Sequence, residues 1–264
     1  MQNRIARNTS KKRNNFEGQL RAFPPKMAGP LLPLAHVTDF GRFLTILREG
    51  QFNPPIKCGI YNEYLIYTFS GRPDYRLRDD DYTYSDVVYA PVCLLLRPLR
   101  ARVKRILPFD SGGFDRYGKA MHPSWTRADF ELTGRPDAPM YITGTFFEKN
   151  SNYFDRKALP GLKFKNSAEK LRLFYQLITN QLPAVFDQRC SAIEVQLSAP
   201  VLLKDTLIAV ALPSSALDEE TAADIAAIGA LALPYPFEMP FRPGDFFLSV
   251  RSAVRAYFQD SGLL

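Results

Sequence analysis

Histidine is scarce in this chain. Its 264 residues include two, His36 and His122, beside three cysteines, Cys58, Cys93 and Cys190. A structural zinc site draws about four such ligands at tight spacing, and these five residues form no such cluster. Three widely separated cysteines also argue against a disulfide framework and for a reducing compartment. The His-Glu-x-x-His, Gly-x-x-x-x-Gly-Lys-Ser/Thr and Gly-x-Ser-x-Gly signatures are missing, so nothing local points to a zinc protease, a P-loop or a hydrolase elbow. No run approaches the roughly 18 apolar residues of a membrane span. The N-terminus carries no apolar signal-peptide core. Together these absences predict a cytoplasmic protein without membrane partners.

Positive charge is present but unevenly spread. Of the net +7, six units fall in residues 1–30, where Arg4, Arg7, Lys11, Lys12, Arg13, Arg21 and Lys26 face Glu17 alone. The remainder is almost neutral, which makes a uniformly basic nucleic-acid-binding surface a poor description of it. Residues 1–30 read as a basic, disordered tail, able to lend salt-sensitive affinity for nucleic acid or simply to stay solvated. A second basic stretch holds Arg97, Arg100, Arg102, Lys104 and Arg105 without an acid. It can face phosphates or alternate with Leu99, Val103 and Ile106.

Pro24-Pro25 and the stretch Pro30 to Pro33 separate the tail from one folded domain over 31–264. Leu34 to Val37 reads as a strand. Thr38 or Asp39 then caps a helix whose Phe40, Phe43, Leu44 and Leu47 share one face, and Gly50 ends it. Tyr64 to Phe69 is a second strand, closed by Gly71-Arg72-Pro73. Strands are also predicted over Val87 to Leu96, Met140 to Phe147, Ala192 to Leu197 and Leu207 to Leu212. Asp79-Asp80-Asp81 marks a loop. Asn166-Ser-Ala-Glu169 has the spacing of a capping box before a helix with Leu171, Phe174 and Ile178 inward. Ala216 to Leu231 and Phe246 to Phe258 are further helices. Strands and helices mix without a regular βαβ rhythm, which predicts an α+β fold.

Three segments carry candidate chemistry. His36 and Thr38 are two apart on a strand and share a face. A neutral imidazole and a hydroxyl there can hydrogen-bond a ribose or a carboxamide. Tyr67 and Phe69 share a face of the next strand, where an aromatic ring can stack on a cationic nicotinamide. Gly71 permits close backbone approach, and Arg72 and Arg76 can grip a pyrophosphate bidentately. Glu194 shares its strand face with Gln196. A carboxylate aimed into a cleft can stabilise an oxocarbenium-like state as a glycosidic bond breaks. The structural alternatives are a histidine satisfied in a strand–helix turn, a core strand ending in a turn, and an exposed strand glutamate.

The run Ala35-His-Val-Thr-Asp-Phe-Gly-Arg-Phe-Leu-Thr-Ile-Leu-Arg-Glu-Gly50 resembles the opening of the DarT-like ADP-ribosyltransferases, with its His-x-Thr strand and its helix ending at glycine. Phe69-Ser-Gly-Arg-Pro-Asp-Tyr-Arg76 is similar to a motif of bacterial proteins with the same opening, of toxin or phage-defence type. The resemblance runs in short islands over residues 31–213. Residues 97–165 do not match and read as an insertion. It implies an ADP-ribosyltransferase-like split mixed or antiparallel sheet with flanking helices. It further implies NAD as co-substrate, a macromolecular acceptor with DNA or RNA among the candidates, and an antitoxin or regulatory protein as partner. By the resemblance Glu194 and Arg72 are catalytic, while His36, Thr38, Tyr67, Gly71, Tyr75 and Arg76 bind the cofactor, with no metal. The acidic residue that arginine-modifying relatives carry two positions before the glutamate is replaced here by Ala192. Two other functions compete: a non-catalytic protein binding nucleic acid or protein on the same fold, and a carboxylate-metal nuclease.

Overall fold

A computed structural model describes residues 14–23, 28–54, 57–74, 83–99, 102–133, 135–182 and 188–264. In chain order its main elements are helix α1 (Phe16–Ala22), β1 (Leu34–Asp39), α2 (Phe40–Glu49), β2 (Gln51–Phe52), β3 (Ile66–Ser70), β4 (Pro91–Leu96) and β5 (Val103–Leu107). There follow α3 (Ala138–Phe147), α4 (Asn150–Phe154), α5 (Glu169–Ile178), β6 (Glu194–Leu197), β7 (Val201–Leu202), β8 (Leu207–Pro213), α6 (Glu219–Ile228), β9 (Leu231–Tyr235) and α7 (Phe247–Asp260). The α+β class expected from the sequence holds, with a mixed sheet. The chain divides into two compact units: residues 1–31 with 104–195, and residues 32–103 with 196–264. One crossing falls within the Pro30 to Pro33 stretch, and the other two carry no linker composition because they lie inside strands, between Val103 and Lys104 of β5 and between Val195 and Gln196 of β6. Among the described residues no helix is long and apolar enough to cross a membrane.

The unit of residues 32–103 and 196–264 is built on strands in the order β3-β1-β4-β8-β9. The β1 strand pairs antiparallel with β3 and with β4, placing His36 opposite Leu94. The β4 and β8 strands are antiparallel and β8 and β9 parallel. A parallel neighbour requires a crossover, and α6 supplies it. All six residues of β4 are buried, which explains its unbroken apolar sequence. Pro91 opens β4, where no ladder N–H is needed, and a single helical turn (Val87–Tyr89) precedes it in place of the longer strand expected. Asp39 caps α2 by accepting from Arg42 N at 2.7 Å, and Gly50 ends it. The apolar side of α7 (Phe247, Val250, Val254, Phe258) is buried, and the helix packs on β9, β4 and β8. The β2 and β7 strands pair separately.

The other unit is mainly helical around an aromatic core. Part of the basic segment expected to be disordered is ordered. Asn15 caps α1 by accepting from Gly18 N at 2.8 Å, and Phe16 is fully buried among Phe130, Phe146 and Phe174. Two apolar side chains, Phe16 and Leu20, outweigh the polar composition around them. Gln19 of α1 also does what the Asn166–Glu169 box was expected to do. Its Oε1 accepts from Lys170 N (2.9 Å) and Leu171 N (3.3 Å), whereas Ala168 occupies the cap of α5 without a side-chain bond.

Met140 to Phe147 is helix, not strand. Eight of the ten α3 residues are buried, so the segment shows no amphipathic period and its aromatic and β-branched content mimics a core strand. Pro139 sits in the first turn, where its missing N–H costs nothing. Tyr75, Arg76, Asp79 to Asp81, Arg100 and all the basic residues of the first thirteen positions lie outside the described residues.

Candidate functional site

His36 is positioned by β1 between two strands, and its imidazole is half-buried. Nδ1 lies 2.7 Å from the Tyr67 carbonyl oxygen. A carbonyl only accepts, so Nδ1 carries the proton and Nε2 carries the lone pair. Burial lowers the histidine pKa to about 4. The Tyr67 bond opposes that shift and the nearby Arg42 charge adds to it. At neutral pH His36 is therefore an uncharged acceptor in one tautomer. Its ring packs on Phe52 with centroids 4.3 Å apart.

Tyr67 is half-buried on β3 and its hydroxyl donates to Cys58 Sγ at 2.6 Å. That bond fixes the tyrosine ring beside the strand. Thr38 shares the strand of His36 but is 3% exposed. Arg72 and Asp74 are both fully buried and their ion pair measures 2.5 Å. The guanidinium is thus engaged inside its own turn. Gly71 has φ +68°, and a Cβ there would stand 2.4 Å from Leu32 Cδ1. The close approach that requires glycine is therefore made by a core leucine.

Arg42, which the sequence motifs did not single out, is exposed on the first turn of α2. It lines a cavity of about 440 Å³ with Gly41, Thr45, Glu49 and Asn53. The available signal was its place one helical turn past the Asp39 cap, since the start of a helix favours anions.

Glu194 opens β6. Every residue of that short strand is buried, so the alternation that suggested an exposed polar face does not describe it. Glu194 is 1% exposed, and its Oε2 accepts from both Ser111 N (2.9 Å) and Ser111 Oγ (3.0 Å). Two donors of one residue thus meet on a single carboxyl oxygen. The preceding residue is held as well, with Ile193 N donating to Tyr153 Oη at 3.2 Å. Ser111 lies 83 residues upstream, too far for any local pattern to reveal the pairing.

Cys93 is fully buried, which pushes its thiol far up from the ordinary range, and Cys190 is 1% exposed. Neither is disposed as a nucleophile. Among the described residues no group of three or more His, Cys, Asp or Glu is arranged to hold a metal ion. In comparisons with known proteins, no protein-family profile matches this chain and no curated protein matches its sequence significantly.

Proposed function

We propose that this chain is an NAD-dependent ADP-ribosyltransferase that modifies a macromolecule, nucleic acid among the candidates, in a toxin or defence role. The observation that carries the reading is His36, held neutral and in a single tautomer, with Nε2 as an acceptor on a half-buried strand. Such a group suits a ribose hydroxyl, which can donate to it. A histidine that charged near neutral pH would lose that acceptor.

In this reading the nicotinamide ring stacks beside Tyr67, and Arg42 meets the pyrophosphate. Arg72 braces the turn after β3, since its guanidinium is buried against Asp74. By the resemblance, Glu194, which belongs to the other unit, is the candidate for stabilising the positive charge that develops as the glycosidic C–N bond breaks and the bonding electron pair leaves with nicotinamide. The acceptor's nucleophile then bonds to C1′ of the ribose and releases its proton to solvent. The split sheet of the ADP-ribosyltransferases belongs to the same proposal.

The test is incubation with NAD labelled in its adenylate half, together with DNA, RNA and cell lysate, wild type beside Glu194→Ala. Label on one macromolecular class, lost in the variant, is the expected result. A folded wild-type protein that neither labels anything nor releases nicotinamide would overturn the proposal in favour of a binding protein.

A further inference from the structure

We propose that Ser111 is a positioning residue that fixes the Glu194 carboxylate before substrate arrives. The inference rests on Glu194 having the role just described. Both donors of one residue, the backbone N–H and the hydroxyl, converge on one oxygen, Oε2, at 2.9 and 3.0 Å. Two bonds from a single rigid residue leave a carboxylate far less rotational freedom than one would. Preorganised charge of that kind needs no reorientation during reaction.

The turn that presents Ser111 is itself built for rigidity. Asp110 Oδ1 accepts from Gly112 N at 2.8 Å, and Gly113 N donates to the Asp110 carbonyl at 3.0 Å. Gly113 has no room for a side chain, because a Cβ would lie 2.6 Å from the Tyr117 ring. Arg127 Nε donates to the Ser111 carbonyl at 3.3 Å while its guanidinium covers Phe114 at 4.8 Å.

A second tie reaches the other side of the pair. Asp110 Oδ2 is 2.9 Å from Arg189 Nη1, and Asp110 N donates to the Arg189 carbonyl. Arg189 belongs to the helical turn Gln188–Ser191, which leads directly into β6. The serine turn and the start of the glutamate strand are thus clamped together at two points.

The experiment is steady-state nicotinamide release by Ser111→Ala and Ser111→Thr, with Glu194→Gln in parallel and melting curves for each. Ser111→Ala keeps the N–H bond and loses the hydroxyl bond. Its expected effect is a fall in kcat of about 10-fold, the scale of one oriented hydrogen bond, with KM for NAD within about two-fold. Ser111→Thr restores the hydroxyl and is expected to recover most of kcat. A folded Ser111→Ala with wild-type kcat beside an inactive Glu194→Gln would overturn the positioning role alone. Undiminished release by Glu194→Gln would overturn the role of Glu194, and the positioning role with it. A kcat loss in Ser111→Ala that Ser111→Thr fails to recover while melting normally would also count against the hydroxyl.

Discussion

His36 and Glu194 are held in opposite ways. His36 is half-buried, has one hydrogen bond to a strand carbonyl, and is kept uncharged by its surroundings. Glu194 is 1% exposed, accepts two bonds from one residue, and follows a backbone N–H tied to Tyr153. Under the proposed function the two residues have different tasks. A group that binds must exchange water for ligand, so it needs access and a defined acceptor. A group that stabilises developing charge gains from being dry and immobile, because electrostatic interactions strengthen as the local dielectric falls.

Arg72 sharpens this contrast by belonging to neither class, and it carries the largest expected effect. Arg72→Met removes the positive partner of the buried Asp74 carboxylate. A loss of about 3–5 kcal/mol in urea unfolding is expected. The double variant Arg72→Met with Asp74→Leu should recover a large part of it. Nicotinamide release per folded molecule should stay near wild type in that double variant. A selective loss of activity with normal stability would instead make Arg72 a substrate contact.

Glu194→Gln comes next. It preserves shape and removes charge, so nicotinamide release should fall about 10²–10³-fold, the scale seen when one preorganised electrostatic group is lost. Equilibrium unfolding checks that the loss is chemical.

The third prediction concerns pH. In the unfolded chain His36 titrates near its ordinary 6.5, and in the fold near 4. Between these values the unfolded state binds a proton that the folded state refuses. Stability from this group is therefore complete above pH 6.5 and declines as pH falls toward 4. The slope approaches about 1.4 kcal/mol per pH unit, an upper bound of about 3.4 kcal/mol in total. His36→Gln should remove that part of the decline, as read from urea midpoints at pH 7 and pH 5. An unchanged slope would show that His36 titrates normally.

Much of the fold was legible because local signals agreed with one another. The helix after His36 had a cap, an apolar face and a terminal glycine, and it forms as read. The α5 helix showed its buried Leu171, Phe174 and Ile178, but not what caps it, since Gln19 sits about 150 positions upstream. The α3 helix defeated periodicity because it is buried nearly all round. Phe16 and Leu20 were hidden by the basic composition of their neighbours. At the sites, His36 could be picked out by type and strand, but its tautomer depends on the Tyr67 carbonyl. The partner of Glu194 could not be found at all, because a contact across 83 residues leaves no mark in spacing.

The most direct test of this division of labour measures NAD binding by calorimetry and nicotinamide release on the same preparations of wild type, His36→Gln and Glu194→Gln. The account predicts that His36→Gln binds NAD about 10-fold more weakly, the scale of one hydrogen bond. It predicts that Glu194→Gln binds NAD about as well as wild type and fails to turn it over. Wild-type affinity in His36→Gln, or undiminished turnover in Glu194→Gln, would contradict it.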